Sequence, residues 1–336
     1  MYGGTERVVA CLADGLVKKG HDVTVFAAEG SEGLADIDTT FGKLIAGHPY
    51  EPENIEYCSR RIEYIAKTSS RFDILHNNDE LLALQSRSLF KCPLVTTWHG
   101  PFDQLFFDEN IGRDKLRECN FVSISFSQRK DLPDGNFVGN VYNGTTDLDD
   151  YTYGSGGDYL IWLGRFHQYK GAKEAIDAAK IANRKLILAG NIGSDAQQKY
   201  FDENIVNEID DTQISYAGEV GLIKKVKLLQ NAEALLMPIK WEEPFGLVMI
   251  EAMACGTPVI AFNRGSVPEI IADGKVGYIV KQDDVHAMAD AVGRIERINR
   301  RDCREHVAGN FSIEKMVEGY EKVYNQIIRA NKFMER

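Results

Sequence analysis

The most telling chemistry in the sequence is a pair of glutamates eight residues apart. Glu243 and Glu251 stand in Trp241-Glu-Glu-Pro-Phe-Gly-Leu-Val-Met-Ile-Glu-Ala-Met-Ala-Cys-Gly-Thr-Pro-Val259. Glu242 and Glu243 end a loop after an apolar strand, and a helix is expected to begin near Gly246 and stop at Gly256, ahead of Pro258. Backbone N–H groups at Gly246, Leu247 and Val248 then lack intrahelical partners and have the positive end of the dipole behind them, an anion site suited to phosphate. With Glu243 beside that site and Glu251 about one to two turns into the helix, the two carboxylates are placed to hold hydroxyl pairs of a ribose and a hexose. Taken without context, an ordinary loop-to-helix turn with solvated acids explains the segment equally well.

Context comes from Gly164-Arg-Phe-His-Gln-Tyr-Lys-Gly171, which follows the first strand of the same half, at the carboxyl edge where open sheets bind ligands. Arg165 offers a planar fork and Lys170 a mobile point charge, and both suit a diphosphate leaving group. In isolation either is a surface cation. In the first half, Gly3 and Gly4 precede an amphipathic helix carrying Val8, Val9, Leu12 and Leu16, and paired glycines let a phosphate approach a helix start closely. A flexible terminus is the plainer account. His99 ends the strand reading Val-Thr-Thr-Trp98 and precedes Gly100-Pro101, a position open to acid/base, hydrogen-bonding or structural roles. His76, also at a strand end, ranks below it.

These residues need a scaffold that brings strand ends together. Short apolar runs at 23–27, 73–76, 93–98, 121–126 and 138–142 read as buried parallel strands. The pattern resumes at 159–163, 185–189, 214–217, 234–238, 258–262 and 277–280, with helical patterns at 170–183, 222–230 and 285–298. The expectation is an α/β chain of two doubly wound sheets, with a first domain over 1–148 and a second over 159–311. The Gly- and Asp-rich stretch 149–158 reads as the linker. An amphipathic helix from Ser312 carries Met316, Val317, Tyr320, Val323, Tyr324 and Ile327 on one face, so 312–336 is expected to dock on the body.

The 336 residues, 44% apolar and 26% charged, have ordinary globular composition, enough for two domains of roughly 100–200 residues each. A formal charge of -11 is the wrong sign for binding nucleic acid. The first 148 residues carry 15 basic against 22 acidic side chains, which gives anionic lipid no net attraction, so strong membrane binding is not expected. Six scattered cysteines lack metal spacing and suit free thiols, and no signal-like or membrane-spanning run is seen, so a cytoplasmic location is expected. The dinucleotide, nucleophile-elbow and zinc-protease signatures are absent. Asp36-Ile-Asp38 and Asp147-Leu-Asp149 match a metal-binding Asp-x-Asp in letters only and read as loop and linker acids.

The chain resembles the glycosyltransferases of family 4, which have the two-Rossmann GT-B fold, over nearly its whole length. Besides the Glu243/Glu251 spacing and Leu-Gly-Arg165…Lys170-Gly, the resemblance is carried by Tyr2-Gly-Gly-Thr-Glu-Arg-Val-Val9, Thr-Trp-His99-Gly, Ser125-Phe-Ser-Gln-Arg129, Tyr142-Asn-Gly144 and Val267-Pro-Glu-Ile-Ile271 before Asp273-Gly274. It implies that Arg165 and Lys170 bind the diphosphate of a UDP- or GDP-sugar donor, helped by N–H groups at Gly246–Val248 and at Gly3 and Gly4. It further implies that Glu251 binds the ribose, Glu243 contacts the transferred sugar, His99 sits beside that sugar, and the base packs on Gly218-Glu-Val220. Transfer with retention of configuration follows, with no metal and no cofactor. The acceptor is unknown, and 37–56 is the stretch expected to read it.

One departure stands out. Relatives of this kind carry a strand ahead of the glycine pair, whereas here Met1-Tyr2 directly precedes Gly3, so the first domain is expected to lack its first strand. The alternative function is then a nucleotide-sugar-binding module with little turnover, which an added strand and loop of about 10–15 residues would restore.

Overall fold

A computed structural model of the chain describes residues 4–43, 52–78, 81–144 and 148–334. It divides into two compact units, Met1–Gly144 with Ile313–Arg336, and Thr145–Ser312.

In the first unit β3 (Leu75–Asn78), β4 (Leu94–Thr97), β5 (Asn120–Ser123) and β6 (Phe137–Asn140) form a parallel sheet in sequence order. Two further parallel strands, β1 (Thr24–Phe26) and β2 (Asp36–Asp38), form a separate sheet among the described residues. Strand β2 corrects the expectation of loop acids at Asp36-Ile-Asp38, and the Asp38 carboxylate accepts from Thr40 N and from the Tyr64 hydroxyl, each at 2.9 Å. The core beside β4 and β5 is aromatic, with Phe102, Phe107 and Phe121 almost fully buried. Helix Ile313–Met334 belongs to this unit, and Met316, Val317, Tyr320, Val323 and Ile327, which share one face of it, are all buried. Its approach to helix Gly4–Lys18 is close enough that a Cβ on Gly15 would lie 2.5 Å from Val317.

The second unit holds a single six-stranded parallel sheet. Its strands are β7 (Tyr159–Leu163), β8 (Lys185–Ala189), β9 (Ile214–Tyr216), β10 (Ala232–Met237), β11 (Val259–Phe262) and β12 (Gly277–Val280). The order β12-β11-β10-β7-β8-β9 reverses between β7 and β10, the switch point at which doubly wound sheets bind ligands. These strands are apolar on both faces because helices cover both. The expected helix over 285–298 ends earlier, at Val292, and is followed by a separate 3-10 turn, Ile295–Arg297.

The stretch 149–158, read as a linker from its composition, is instead packed into the second unit. Tyr151 is fully buried, and Arg304 donates to the carbonyls of Leu148 and Tyr151. Gly154 and Gly157 sit there because a Cβ on either would lie 2.4 Å from the carbonyl of Gln230 or Asn231, so these glycines permit close contact rather than flexibility.

The same reasoning yields a test at the carboxyl edge of the sheet. Gly190 N donates to Gly218 O at 3.0 Å, and a Cβ on Gly190 would lie 1.7 Å from Gly164 O. Gly190→Ala must therefore push apart the loops after β7, β8 and β9, at an expected cost of about 2–4 kcal/mol. Calorimetry should show the transition of the second unit about 5–10 °C lower. An unchanged transition would mean that the loops are not held in this contact.

Candidate functional site

The loop after β7 is anchored by Phe166, which is fully buried with its ring 4.9 Å from that of Trp162. Its two flanks face solvent to different degrees. Arg165 is exposed and Lys170 half-buried, and the Lys170 carbonyl accepts from the Trp162 indole at 3.0 Å. Gly171 follows with φ +73° and passes so close to the end of β10 that a Cβ would meet Pro238 O at 2.0 Å. Fixed this way, the Lys170 ammonium donates to Glu243 Oε2 at 2.6 Å and lies 4.6 Å from the centre of the Trp241 ring. The Trp241 indole donates to the same oxygen at 2.9 Å. Both donors converge on Oε2, and among the described residues Glu243 Oε1 has no hydrogen-bond partner.

Glu242 and Glu243 diverge. The Glu242 carboxylate accepts from Gly265 N at 2.8 Å and from Arg264 Nη1 at 3.1 Å, clamping the loop after β11. Gly265 must be glycine, because its φ is +53° and a Cβ would lie 2.4 Å from Glu243 N. Helix Leu247–Ala254 starts where expected, with Gly246 as its N-cap at φ +78° and no side-chain cap. Leu247 and Val248 thus open a helix start of the kind that receives anions.

Glu251, in the second turn of that helix, is 4% exposed. Its Oε1 accepts from the Tyr151 hydroxyl at 2.8 Å and from the Lys225 ammonium at 2.7 Å. Gly218, at φ +75°, and the half-buried Val220 follow β9 at the same carboxyl edge. Arg165, Lys170, Glu243, Gly246, Leu247, Val248, Glu251, Gly218 and Val220 therefore all lie in the second unit, on segments that leave the carboxyl ends of β7, β9 and β10. Tyr151 and Lys225 were missed by sequence reasoning. The first stands in a stretch whose composition imitates a linker, and the second in Lys224-Lys225-Val-Lys227, which reads as a solvated face.

His99 and Gly4 belong to the first unit. Gly4 opens helix Gly4–Lys18, and Gly3 lies outside the described residues, as does 44–51 of the stretch expected to read the acceptor. The turn that carries His99 is held by buried Gln128, whose amide donates to Trp98 O and Gly100 O at 2.7 Å each. His99 Nε2 lies within hydrogen-bond distance of Asn78 Oδ1, at 3.0 Å. Burial pushes the His99 pKa down to about 4. The imidazole is neutral near pH 7 and suited to hydrogen bonding rather than to acting as an acid. His76 is structural: Nδ1 meets the Tyr324 hydroxyl at 2.7 Å and Nε2 meets Thr97 Oγ1 at 2.8 Å, beneath the last helix.

Among the described residues no cluster of His, Cys, Asp and Glu is arranged to hold a metal ion, and no helix is long and apolar enough to cross a membrane.

Two α/β units, one with strand reversal at a site of cations, carboxylates and a helix start, define a GT-B glycosyltransferase fold, and solved structures agree. Sucrose-phosphate synthase from Thermosynechococcus elongatus matches with TM-score 0.79 at 22% identity, over 98% of this chain and 94% of that one. HepE of Anabaena, solved with UDP and glucose, matches with TM-score 0.74 at 16% identity, over 96% of each chain. Residues 2–123 match the sequence model of glycosyltransferase family 4, and residues 149–309 that of glycosyl transferases group 1. The chain belongs to the family 4 glycosyltransferases. Among curated relatives, the phosphatidyl-myo-inositol mannosyltransferase of Mycobacterium tuberculosis is 25% identical over 98% of this chain and 92% of its own length. Other curated relatives are matched over about half their length, between 45% and 53%.

Proposed function

We propose that the chain transfers a hexose from a nucleotide-diphosphate sugar, carried by UDP or GDP, to an acceptor, with retention at the anomeric carbon and without a metal ion. The observation that carries this reading is Glu243, held through Oε2 by Lys170 and Trp241, beside the start of helix Leu247–Ala254 at the β7/β10 switch point. Glu243 Oε1 is then the acceptor for a hydroxyl of the transferred sugar. As the bond from the anomeric carbon to the diphosphate breaks, negative charge grows on the leaving oxygen, where Arg165, Lys170 and the N–H groups of Leu247 and Val248 stabilise it. The leaving phosphate takes the acceptor proton in a front-face attack, so no side-chain nucleophile is required. The UDP and glucose bound by HepE support a UDP-sugar as the first donor to test.

Screening UDP- and GDP-hexoses for release of the nucleotide tests the donor, and NMR of the product tests retention. Turnover should persist in EDTA, because two cations and a helix start stand where an ion would screen the diphosphate. Abolition by EDTA with rescue by magnesium or manganese would overturn metal independence. The separation, among the described residues, of β1 and β2 from the β3–β6 sheet favours a second reading, a nucleotide-sugar-binding module with little turnover. Tight nucleotide binding without product from any donor would decide for it.

A further inference from the structure

In the run Lys224-Lys225-Val226-Lys227 the three ammonium groups have different environments. Lys224 and Lys227 are exposed, and Lys224 donates to Ala217 O at 2.9 Å. Lys225, in the first turn of helix Leu222–Gln230, turns inward instead, leaving only 17% of its side chain exposed, and donates to a Glu251 carboxylate that is 5% exposed. The Tyr151 hydroxyl donates to the same oxygen, and the Lys225 ammonium lies 5.5 Å from the centre of the Tyr151 ring. Three segments far apart in sequence are thereby joined at one carboxylate oxygen.

We propose that Lys225, with Tyr151, is a positioning residue that orients the Glu251 carboxylate for a vicinal diol. The inference rests on the reading of Glu251 as the residue that binds the nucleotide's ribose. The terminal torsion of a glutamate is broad and roughly two-fold, so a carboxylate held by one donor can still turn. Two donors on Oε1, at 2.7 and 2.8 Å, fix its plane before a ligand arrives, and recognition then costs less ordering of the site. A buried ion pair adds little net stability over apolar residues of similar volume, so stability alone is a poor account of this arrangement.

The test compares calorimetric affinities of the full chain for UDP and GDP with those for their 2′-deoxy counterparts. The wild type should prefer the ribonucleotide about tenfold or more, as expected for hydrogen bonds to a charged group. Lys225→Met should bring that ratio close to one by weakening the ribonucleotide alone. Lys225→Arg, which keeps the charge and the donors, should retain most of the ratio. Tyr151→Phe removes a single oxygen and should lower the ratio in part, which carries the test if Lys225→Met does not fold. A wild-type ratio in Lys225→Met, whether both affinities fall together or neither changes, overturns the inference. If Glu251→Gln loses the ratio while Lys225→Met keeps it, only the role of Lys225 falls. A wild type without any preference, unaffected by Glu251→Gln, overturns the ribose reading and the inference with it.

Discussion

Alanine at Arg165 or at Lys170 is expected to lower donor turnover about a hundredfold to a thousandfold, the usual loss when one preorganised donor to a developing charge is removed. The two variants should differ in what else they change. Arg165 is exposed, so Arg165→Ala should leave the melting temperature near that of the wild type and act on turnover alone. Lys170 is tied to Glu243 and lies over Trp241, so Lys170→Ala also leaves a largely buried carboxylate without its cation and should melt earlier. Lys170→Arg restores charge but not the compact geometry of an ammonium over the indole, and should recover stability better than rate. Steady-state rates alongside calorimetric scans separate these effects. Wild-type turnover in either alanine variant would remove that residue from the chemistry.

The second large effect is on acid stability. Burial pushes the pKa of His76 down to about 3, with a smaller contribution from neighbouring His99, and burial pushes His99 down to about 4. An unfolded histidine titrates near 6.5, so between that value and the depressed ones the unfolded chain binds protons that the folded chain refuses. The stabilisation is complete above pH 6.5 and is lost as pH falls, by about 1.4 kcal/mol per pH unit for each histidine. Denaturant unfolding between pH 7.5 and 4.5, followed by hydrogen exchange in helix Ile313–Met334, should show this decline. His76→Gln should remove roughly half of its slope. An identical slope in the variant would show that His76 titrates normally in the folded chain.

The sequence made the second unit legible because its strands are apolar on both faces. The runs at 159–163, 185–189 and 277–280 match β7, β8 and β12 to the residue. Strand β2 escaped because acids occupy two of its three positions, leaving no apolar run to read. Composition misled at 149–158, where glycine serves close packing and aspartate sits beside the buried Tyr151. Within the site, Glu243, Glu251, Lys170 and the start of helix Leu247–Ala254 were readable because their spacing lies within single segments. Lys225 and Tyr151 were not, since their meeting at Glu251 depends on pairing across 26 and 100 residues. Gln128 was visible as part of a motif, but only the fold shows that it fastens the turn carrying His99.

The placement of helix Ile313–Met334 in the first unit makes the second unit an insertion within the first, entered after Gly144 and left after Ser312. During synthesis the inserted unit emerges ahead of the segment that seals its host, and its six strands can pair before that segment leaves the tunnel. The first unit, by contrast, must wait with β6 and the underside of helix Gly4–Lys18 uncovered until helix Ile313–Met334 leaves the tunnel. Vectorial folding therefore runs from the inserted unit outward to its host. The interval in which the first unit is open to aggregation or proteolysis is set by the translation time of the insert, so slower translation of the insert would lengthen it.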